Sequence, residues 1–252
     1  MSELTFRAPG EVIDANVGVG HRHDRPAPFE DATGLLAEMD RHGVDAAVVY
    51  HVQGESVSAL DGNDLLHAWV EGRPRLIPQW VAGSDPATHR QLEGLHAEGR
   101  LSSVRLHDTA SCRAPLTEWI YGDLLEWLQA EGIPLWVSLA DNDHAQLADT
   151  LGRYPELVSV LVGAHYTHSA LVRPLMRKLP RSLLELSRDE TPGDVEALGR
   201  DVGVRRLVYG SFYPRYAMGP ILYYLHRCDL TASQRDLVCA GNVRRLLGEE
   251  RG

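Results

Sequence analysis

Short apolar runs alternate with helical patterns along almost the whole chain, and this alternation limits its fold more than any other feature. The runs that we interpret as strands cover residues 12–17, 45–52, 75–83, 102–108, 133–140, 157–165, 182–187 and 204–211. Strands that alternate with helices form a parallel sheet with right-handed crossovers. Eight such units in 252 residues predict a single α/β domain, residues 1–252, folded as a (β/α)8 TIM barrel. An open, doubly wound sheet is the alternative.

The helical segments carry their own start and stop signals. The helix predicted after Glu30 and Asp31 ends at Gly43, a residue type that favours the C-terminal end of a helix. The clearest pattern covers residues 115–132, where Pro115 suits a first turn. Its predicted apolar face consists of Trp119, Ile120, Leu124, Trp127 and Leu128. Further helices are predicted at 63–71, 86–98, 143–151, 169–178, 192–199 and 231–247.

Composition and charge exclude several classes of function. The chain has 35 acidic and 25 basic residues, a net charge of −10, so we expect no nucleic-acid partner. A small anionic substrate remains compatible with this charge. No apolar run approaches the roughly 20 residues that a membrane span needs, and the N-terminal residues lack the pattern of a signal peptide. The three cysteines form no disulfide framework, so we expect a cytoplasmic protein. We also expect a homodimer, because the homodimer is the commonest oligomer of soluble proteins.

Polar residues concentrate at the predicted carboxyl ends of the strands, where such barrels carry their active sites. Five of the twelve histidines fall at or just after these ends: His21, His23, His51, His107 and His165. For any one of them, a hydrogen-bonded residue at the rim is the simpler interpretation. We favour that interpretation for His51, as a cap on a buried strand. Arg105, Arg188 and Tyr213 lie at the same end.

The stretch VIDANVGVGHRHD, residues 12–24, raises the question of a metal site. Strand alternation would point Asp14, Asn16 and Gly18 to one face, and it leaves His21 and His23 in the following loop. An H-x-H pair after a strand is typical of a metal site. Here, however, the histidines lie well beyond the strand.

Four stretches resemble the amidohydrolase-related family, the branch that includes aminocarboxymuconate-semialdehyde decarboxylase. VIDANVGVG resembles that family's D-x-H-x-H segment on the first strand, and LLAEMDRHGVDAAVVYH (35–51) resembles its first helix and second strand. LVYGSFYP (207–214) resembles the G-S-D-x-P segment of the eighth strand, and GNVRRLLG (241–248) resembles the C-terminal helix. The resemblance extends over nearly the whole chain and implies the TIM barrel of the metal-dependent hydrolases.

The resemblance also implies a divalent metal, usually zinc, and here this chain departs from the pattern. The two first-strand histidine positions hold Asn16 and Gly18, the fifth-strand position near Ser138 has no histidine, and Phe212 replaces the eighth-strand aspartate. His165 keeps its place. We therefore predict that the usual metal site is absent and expect no cofactor. The alternative is a zinc site that His21, His23, His107 and His165 would form.

These observations predict a small-molecule hydrolase or a decarboxylase (a carbon–carbon lyase) that works without the usual metal at the carboxyl-end mouth of the barrel. Asp14, His107 and His165 are the predicted catalytic residues. The substrate is expected to be a carboxylate or an amide. The predicted substrate-binding residues are Asn16, His21, His23, His51, Arg105, Arg188, Phe212 and Tyr213.

Two alternatives stay open. Arg105 could instead form an ion pair in the barrel interior, with Glu185 as its suggested partner. The whole chain could also be a catalytically inactive barrel that binds a metabolite or a partner protein.

Overall fold

The computed structural model describes residues 6–22, 25–189 and 191–248. Within these ranges the chain alternates parallel strands with helices, as the sequence predicts. The strands are β1 (Ile13–Val19), β2 (Ala46–His51), β3 (Leu76–Pro78), β4 (Trp80–Ala82), β5 (Val104–Leu106), β6 (Leu135–Ser138), β7 (Ser159–Val162), β8 (Ser182–Glu185) and β9 (Leu207–Val208).

The strands form two parallel sheets that join into a barrel. One sheet has the order β1-β2-β3 and the other runs from β4 to β9 in sequence order. The barrel closes between its last and first strands, where the Ala15 N–H donates to the Tyr209 carbonyl and the Gly18 N–H donates to the Tyr213 carbonyl. The predicted α/β fold with a (β/α)8 barrel is therefore confirmed.

Helices cover the outside of this barrel. They are α1 (Ala32–His42), α2 (Val52–Ser56), α3 (Ala59–Val70), α4 (Pro86–Ala97), α5 (Glu118–Ala130), α6 (His144–Leu151), α7 (Ser169–Lys178), α8 (Asp194–Leu198), α9 (Gly219–Leu225), α10 (Ala232–Asp236) and α11 (Asn242–Leu246). Gly43 ends α1 in the left-handed conformation, as its type predicts. No helix in the described ranges is both long and apolar enough to cross a membrane.

Two sets of apolar side chains follow from strand alternation. One set fills the lower barrel interior and includes Ile13, Ala15, Val48, Trp136 and Val160. The larger set lies between the outer faces of the strands and the helices. The C-terminal helices also contribute to the inner set, through Ala240 and Val243. A third, smaller set of Tyr50, Val52, Ala59 and Val81 lies near the carboxyl ends of β2 and β4, beside the polar residues of the upper interior.

Several predicted boundaries differ from the observed ones. The third predicted strand breaks at Gln79 into β3 and β4, which pair with different neighbours. The eighth predicted strand shortens to two residues, after a 3-10 turn at Val204–Arg206. Helix α5 begins at Glu118 rather than at Pro115. Trp119 is 82% exposed, so its assignment to the buried face of α5 was wrong.

Candidate active site

An irregularity in β1 places Asn16 inside the barrel. The β1–β2 register shifts between Asp14 and Val17. Ile13 and Ala15 belong to the interior cluster, so simple alternation would direct Asn16 outward. The shift allows Asn16 to follow Ala15 into the interior, where its side chain bonds to residues of β5 and β8. The prediction that Asp14, Asn16 and Gly18 share one face by regular alternation is therefore wrong, because Asp14 alternates with the interior residues Ile13 and Ala15 whereas Asn16 points inward.

Asn16 joins two buried charged residues across the barrel. Its Nδ2 donates to Glu185 Oε2 at 3.1 Å, and its Oδ1 accepts from Arg105 Nη1 at 3.3 Å. Glu185 also accepts from the Ser187 N–H at 2.7 Å and from Ser187 Oγ at 2.9 Å. Burial raises the pKa of Glu185, although the hydrogen bonds from Ser187 and Asn16 oppose that rise.

Arg105 forms its ion pair with Glu55. Arg105 Nη2 donates to Glu55 Oε1 at 2.7 Å and Nε donates to the same oxygen at 3.1 Å, with both side chains buried. The interior ion pair suggested by the sequence is therefore present, but its partner is not Glu185, which Arg105 reaches only through Asn16. The guanidinium also lies over the Tyr50 ring, 3.9 Å from its centroid.

Glu55 is the central residue that sequence analysis missed. It lies on α2, a single helical turn that follows β2 directly and has no periodic apolar pattern. His51, the last residue of β2, is the N-cap of this turn and its Nδ1 accepts from the Gln53 N–H at 3.4 Å. Burial and the neighbouring His21 lower the pKa of His51 to about 4, so the ring is neutral near neutral pH. His51 therefore caps the helical turn that follows β2, whereas the sequence analysis favoured a cap on the strand itself.

Phe212 lies at the mouth in a strained conformation. Its φ is +57°, the left-handed region that bulky residues rarely adopt. The guanidinium carbon of Arg215 lies 4.5 Å from the ring centroid, and that of Arg105 lies 5.8 Å from it. Phe212 is only 6% exposed, so its ring covers the polar network below. Strain of this kind is found where a side chain must be held at a fixed place near a site.

Gly18 has no room for a side chain. A Cβ added there would lie 2.8 Å from Val52 Cγ1 and 3.4 Å from the Tyr50 hydroxyl oxygen. A histidine at this position would therefore require the side chains of Val52 and Tyr50 to move.

Asp14 is fully buried next to the seam between the first and last strands. Its Oδ1 accepts from the Ser211 N–H at 2.9 Å and from the Asn16 N–H at 3.1 Å. Its Oδ2 has no hydrogen-bond partner among the described residues. Burial raises the pKa of Asp14 to about 7, while the hydrogen bonds from Ser211 oppose the rise. The residue lies below the mouth and holds the turn that carries Phe212.

The predicted catalytic histidines lie apart from Asp14. His107 is buried, and its Nε2 is 2.5 Å from the Tyr121 hydroxyl of α5. His165 is half-buried after β7, where it caps a 3-10 turn and its ring lies 3.8 Å from that of Tyr166. No hydrogen bond or ion pair links Asp14, His107 and His165 to one another within the described ranges. The structure therefore does not bring the predicted triad together.

The remaining predicted binding residues are divided between the mouth and its rim. His21 Nδ1 accepts from the Ala27 N–H at 3.1 Å, and its Nε2 lies 3.5 Å from Glu30. Tyr213 is buried and stacks on Phe29 with 5.6 Å between ring centroids. Arg188 lies over the Tyr216 ring, 4.4 Å from its centroid. His23 lies outside the described residues.

An arginine-lined cavity opens between the first and last loops of the barrel mouth. Its volume is about 370 Å³. Arg22, Arg25 and Arg215 line it, together with Gly20 and Tyr216. Sequence analysis missed this cavity because Arg215 is nearly 200 positions from the other two arginines in the chain. Three cationic side chains around a space of this size suit a small anion.

The residues present do not fit the metal that the fold family implies. No group of three or more His, Cys, Asp or Glu side chains in residues 6–22, 25–189 and 191–248 could share a metal ion. The described members of the alternative four-histidine zinc site, His21, His107 and His165, lie in separate environments. On β1, Asn16 stands where the first histidine ligand is expected, and it accepts a hydrogen bond from the Arg105 guanidinium. The fixed positive charge of Arg105 would repel a metal ion at this position.

Solved structures with this fold come from enzymes and from an uncharacterised protein. An uncharacterised TIM-barrel protein from Bordetella bronchiseptica has a TM-score of 0.75 at 16% identity, over 95% of this chain and 99% of that one. A 5-carboxyvanillate decarboxylase from Sphingomonas paucimobilis has a TM-score of 0.71 at 16% identity, over 94% and 99%. A zinc-bound amidohydrolase from Burkholderia multivorans has a TM-score of 0.69 at 18% identity, over 95% and 99%.

These structural similarities identify the fold class of the chain. The chain has the TIM barrel of the amidohydrolase-type proteins, as its sequence motifs predict. No family model matches the sequence, and no curated protein matches it either. At identities of 16–18% the similarity establishes the fold and not the roles of individual residues.

Proposed function

We propose that this chain is a small-molecule hydrolase or decarboxylase that binds a carboxylate at the barrel mouth and works without a metal of the kind bound in the zinc-containing amidohydrolase of the same fold. The arginine-lined cavity carries this proposal. Arg22, Arg25 and Arg215 surround a space of about 370 Å³ at the end of the barrel where this fold places its chemistry. The decarboxylase from Sphingomonas paucimobilis, named for a carboxylated substrate, supports the same substrate class.

Proton transfer in this proposal belongs to His165. It is the one member of the predicted catalytic set that reaches solvent at the mouth, because Asp14 and His107 are buried. In a decarboxylation, the bond to the carboxylate carbon breaks and its electron pair stays on the substrate carbon. The carboxylate leaves as carbon dioxide, and the imidazolium donates the proton that forms the new carbon–hydrogen bond.

A screen of small carboxylic acids and amides tests the proposal. Thermal stabilisation is measured with and without added divalent metals, and each hit is followed by NMR for turnover. We expect carboxylates to stabilise the protein without metal, and Arg215→Gln to reduce this effect. Arg90→Gln, a change of the same kind on the exposed face of α4, is the matched control. Carboxylates that stabilise wild type and Arg215→Gln equally well, or that fail to stabilise wild type, would contradict a carboxylate site.

A second candidate function has its own supporting observation. The central polar groups Arg105, Glu55 and Asn16 satisfy one another, and Phe212 covers them. This closed network favours a barrel that binds a metabolite without converting it. Carboxylates that stabilise the protein and show no turnover in the same screen would select this second function.

A further inference from the structure

The backbone of His165 is fixed by the short turn that follows it. The turn is a 3-10 helix, Tyr166–His168, and His165 is its N-cap. His168 is the third residue of this helix, and its Nδ1 accepts from the His165 N–H at 3.0 Å. The backbone of His165 is thus tied to the last residue of its own turn, as in a capping box.

The ring of His165 is held at Nδ1 by Thr167. This nitrogen accepts from the Thr167 N–H at 3.5 Å and lies 3.3 Å from Thr167 Oγ1. Because a backbone N–H can only donate, Nδ1 is unprotonated, and the neutral ring carries its hydrogen on Nε2. Nε2 has no hydrogen-bond partner within residues 6–22, 25–189 and 191–248, and it is not buried. One nitrogen is therefore anchored and the other is open to solvent.

The surroundings of His168 keep it in the neutral form that this turn requires. Burial, and then His144, His165 and Arg188, lower the pKa of His168. The His144 ring lies 5.0 Å from the His168 ring, measured between centroids, and its Nε2 donates to the Leu139 carbonyl at 3.2 Å. A protonated His168 would carry a hydrogen on Nδ1 and could not accept from the His165 N–H.

The hydroxyl of Thr167 suits both charge states of the His165 ring. A hydroxyl can donate one hydrogen bond and can also accept. It donates to Nδ1 while that nitrogen is unprotonated, and after rotation about its carbon–oxygen bond it accepts from the Nδ1–H of the imidazolium. The Thr167 backbone N–H can only donate, so it loses its bond when the ring is charged. Of these two groups, only the hydroxyl keeps its bond through a proton transfer.

We propose that Thr167 is a positioning residue for proton transfer by His165, because its hydroxyl holds Nδ1 in both charge states and leaves Nε2 to exchange the proton with the substrate. This inference rests on the proposed function, in which His165 donates a proton. The imidazolium gives its Nε2 hydrogen to the substrate carbon as carbon dioxide leaves. Its Nδ1–H stays bonded to Thr167 Oγ1, and the ring is left neutral. A proton from solvent then restores Nε2.

Two matched substitutions separate the hydroxyl from the rest of the side chain. Thr167→Val removes the hydroxyl and keeps the branched shape, whereas Thr167→Ser keeps the hydroxyl. Thr167 is exposed, so neither change should unfold the protein. For a carboxylate that wild type converts, Thr167→Val should lower kcat about tenfold, because the imidazolium loses an acceptor. KM should stay the same, since the hydroxyl acts through His165. Thr167→Ser should keep most of the wild-type kcat.

A control at a distance uses the same change. Thr33→Val, on the exposed face of α1, should leave both kcat and KM unchanged. A decrease in kcat that is equal in Thr167→Val and Thr167→Ser would show that the hydroxyl is not the cause, and it would overturn the proposal.

Nitrogen NMR tests the same contact without a substrate. The ring nitrogens of His165 are observed in isotope-labelled protein at about pH 8, where an ordinary histidine is neutral. Their signals are assigned by their loss in His165→Asn. We expect a protonated Nε2 and a hydrogen-bonded, unprotonated Nδ1 in wild type and in Thr167→Ser. In Thr167→Val the Nδ1 signal should shift toward that of an imidazole in water.

The NMR and kinetic results can fail separately from the proposed function. Identical Nδ1 signals in wild type and Thr167→Val, a hydrogen on Nδ1 in wild type, or a wild-type kcat in Thr167→Val would each overturn the positioning role. A wild type that converts no carboxylate would instead count against the proposed function, and the NMR comparison would still decide whether Thr167 holds the ring.

Discussion

Arg105 on β5 and Glu55 on α2 form an ion pair inside the barrel, with 2.7 Å between Nη2 and Oε1. The same guanidinium bonds to Asn16, which stands where the D-x-H-x-H segment that this strand resembles has its first histidine. The Arg105 guanidinium thus occupies the upper interior, where it bonds directly to Glu55. Asn16 lies between Arg105 and Glu185 and bonds to both. This arrangement gives the barrel a polar centre built from the chain itself.

The stability of the barrel should depend on this ion pair. Arg105→Met would leave Glu55 buried without its partner, and breaking such a pair costs about 3–5 kcal/mol. The free energy of unfolding in urea measures the effect. The double variant Arg105→Met, Glu55→Gln removes both charges and should recover part of the loss. A loss below about 1 kcal/mol in Arg105→Met would show that the pair does not stabilise the fold.

The first-strand glycine should not tolerate a side chain. Gly18→Ala places a methyl group 2.8 Å from Val52 Cγ1, so we expect overpacking to cost about 1–3 kcal/mol of unfolding free energy. Gly94→Ala on α4 is the matched control, because a Cβ there meets nothing within 4 Å. The control should stabilise the protein by about 0.4–1 kcal/mol. A Gly18→Ala protein as stable as wild type would contradict the packing argument.

The stability of the protein should fall as Asp14 ionises. Its pKa is raised from 3.8 to about 7 in the folded state, so its contribution is fully present below about pH 4 and is lost as the pH rises through about 7. Relative to Asp14→Asn, which cannot titrate, wild type should lose up to about 4 kcal/mol across this window. The measurement is urea unfolding of both proteins at a series of pH values.

The comparison with Asp14→Asn is needed because other carboxyl groups titrate in the same range. Burial also raises the pKa of Glu185 and Asp189, and both proteins share those groups. A difference between the two proteins that stays constant with pH would contradict the raised pKa of Asp14.

The purified protein should hold no stoichiometric metal. Asn16, Gly18 and Phe212 stand where the motifs that this chain resembles have two histidines and an aspartate, and the Arg105 guanidinium bonds to Asn16. Elemental analysis of protein purified without a metal-affinity tag, then incubated with zinc and desalted, measures the content. One zinc or manganese ion per chain would contradict this prediction and would direct attention to His21 and His23 in the first loop.

His165 should affect turnover more than stability. For any substrate found in the screen, His165→Asn should lower kcat by about 10²- to 10⁴-fold while the free energy of unfolding changes little. His107→Asn should instead destabilise the protein, because it removes the bond to Tyr121. The pH dependence of kcat separates the two roles. A pH profile altered by His107→Asn and not by His165→Asn would reverse the assignment.

The alternation of strand-like and helix-like segments was sufficient to predict the barrel. The order of these segments stays the same even when each predicted boundary is wrong by several residues. Sequence patterns were less reliable at the site. Regular alternation placed Asp14, Asn16 and Gly18 on one face, whereas a register shift in β1 directs Asn16 into the interior after Ala15. A local irregularity of this kind has no signature in residue types.

The sequence by itself determined the fold and the departures from the metal-ligand pattern, because both depend on which residue types stand at which strand positions. The tertiary structure alone decided which charged side chains meet inside the barrel and at its mouth. Glu55 and Arg105 are 50 positions apart, and Arg215 is far along the chain from Arg22 and Arg25. Barrel closure brings these charges together, and pairing at such separations depends on the three-dimensional path of the chain, which no local pattern records.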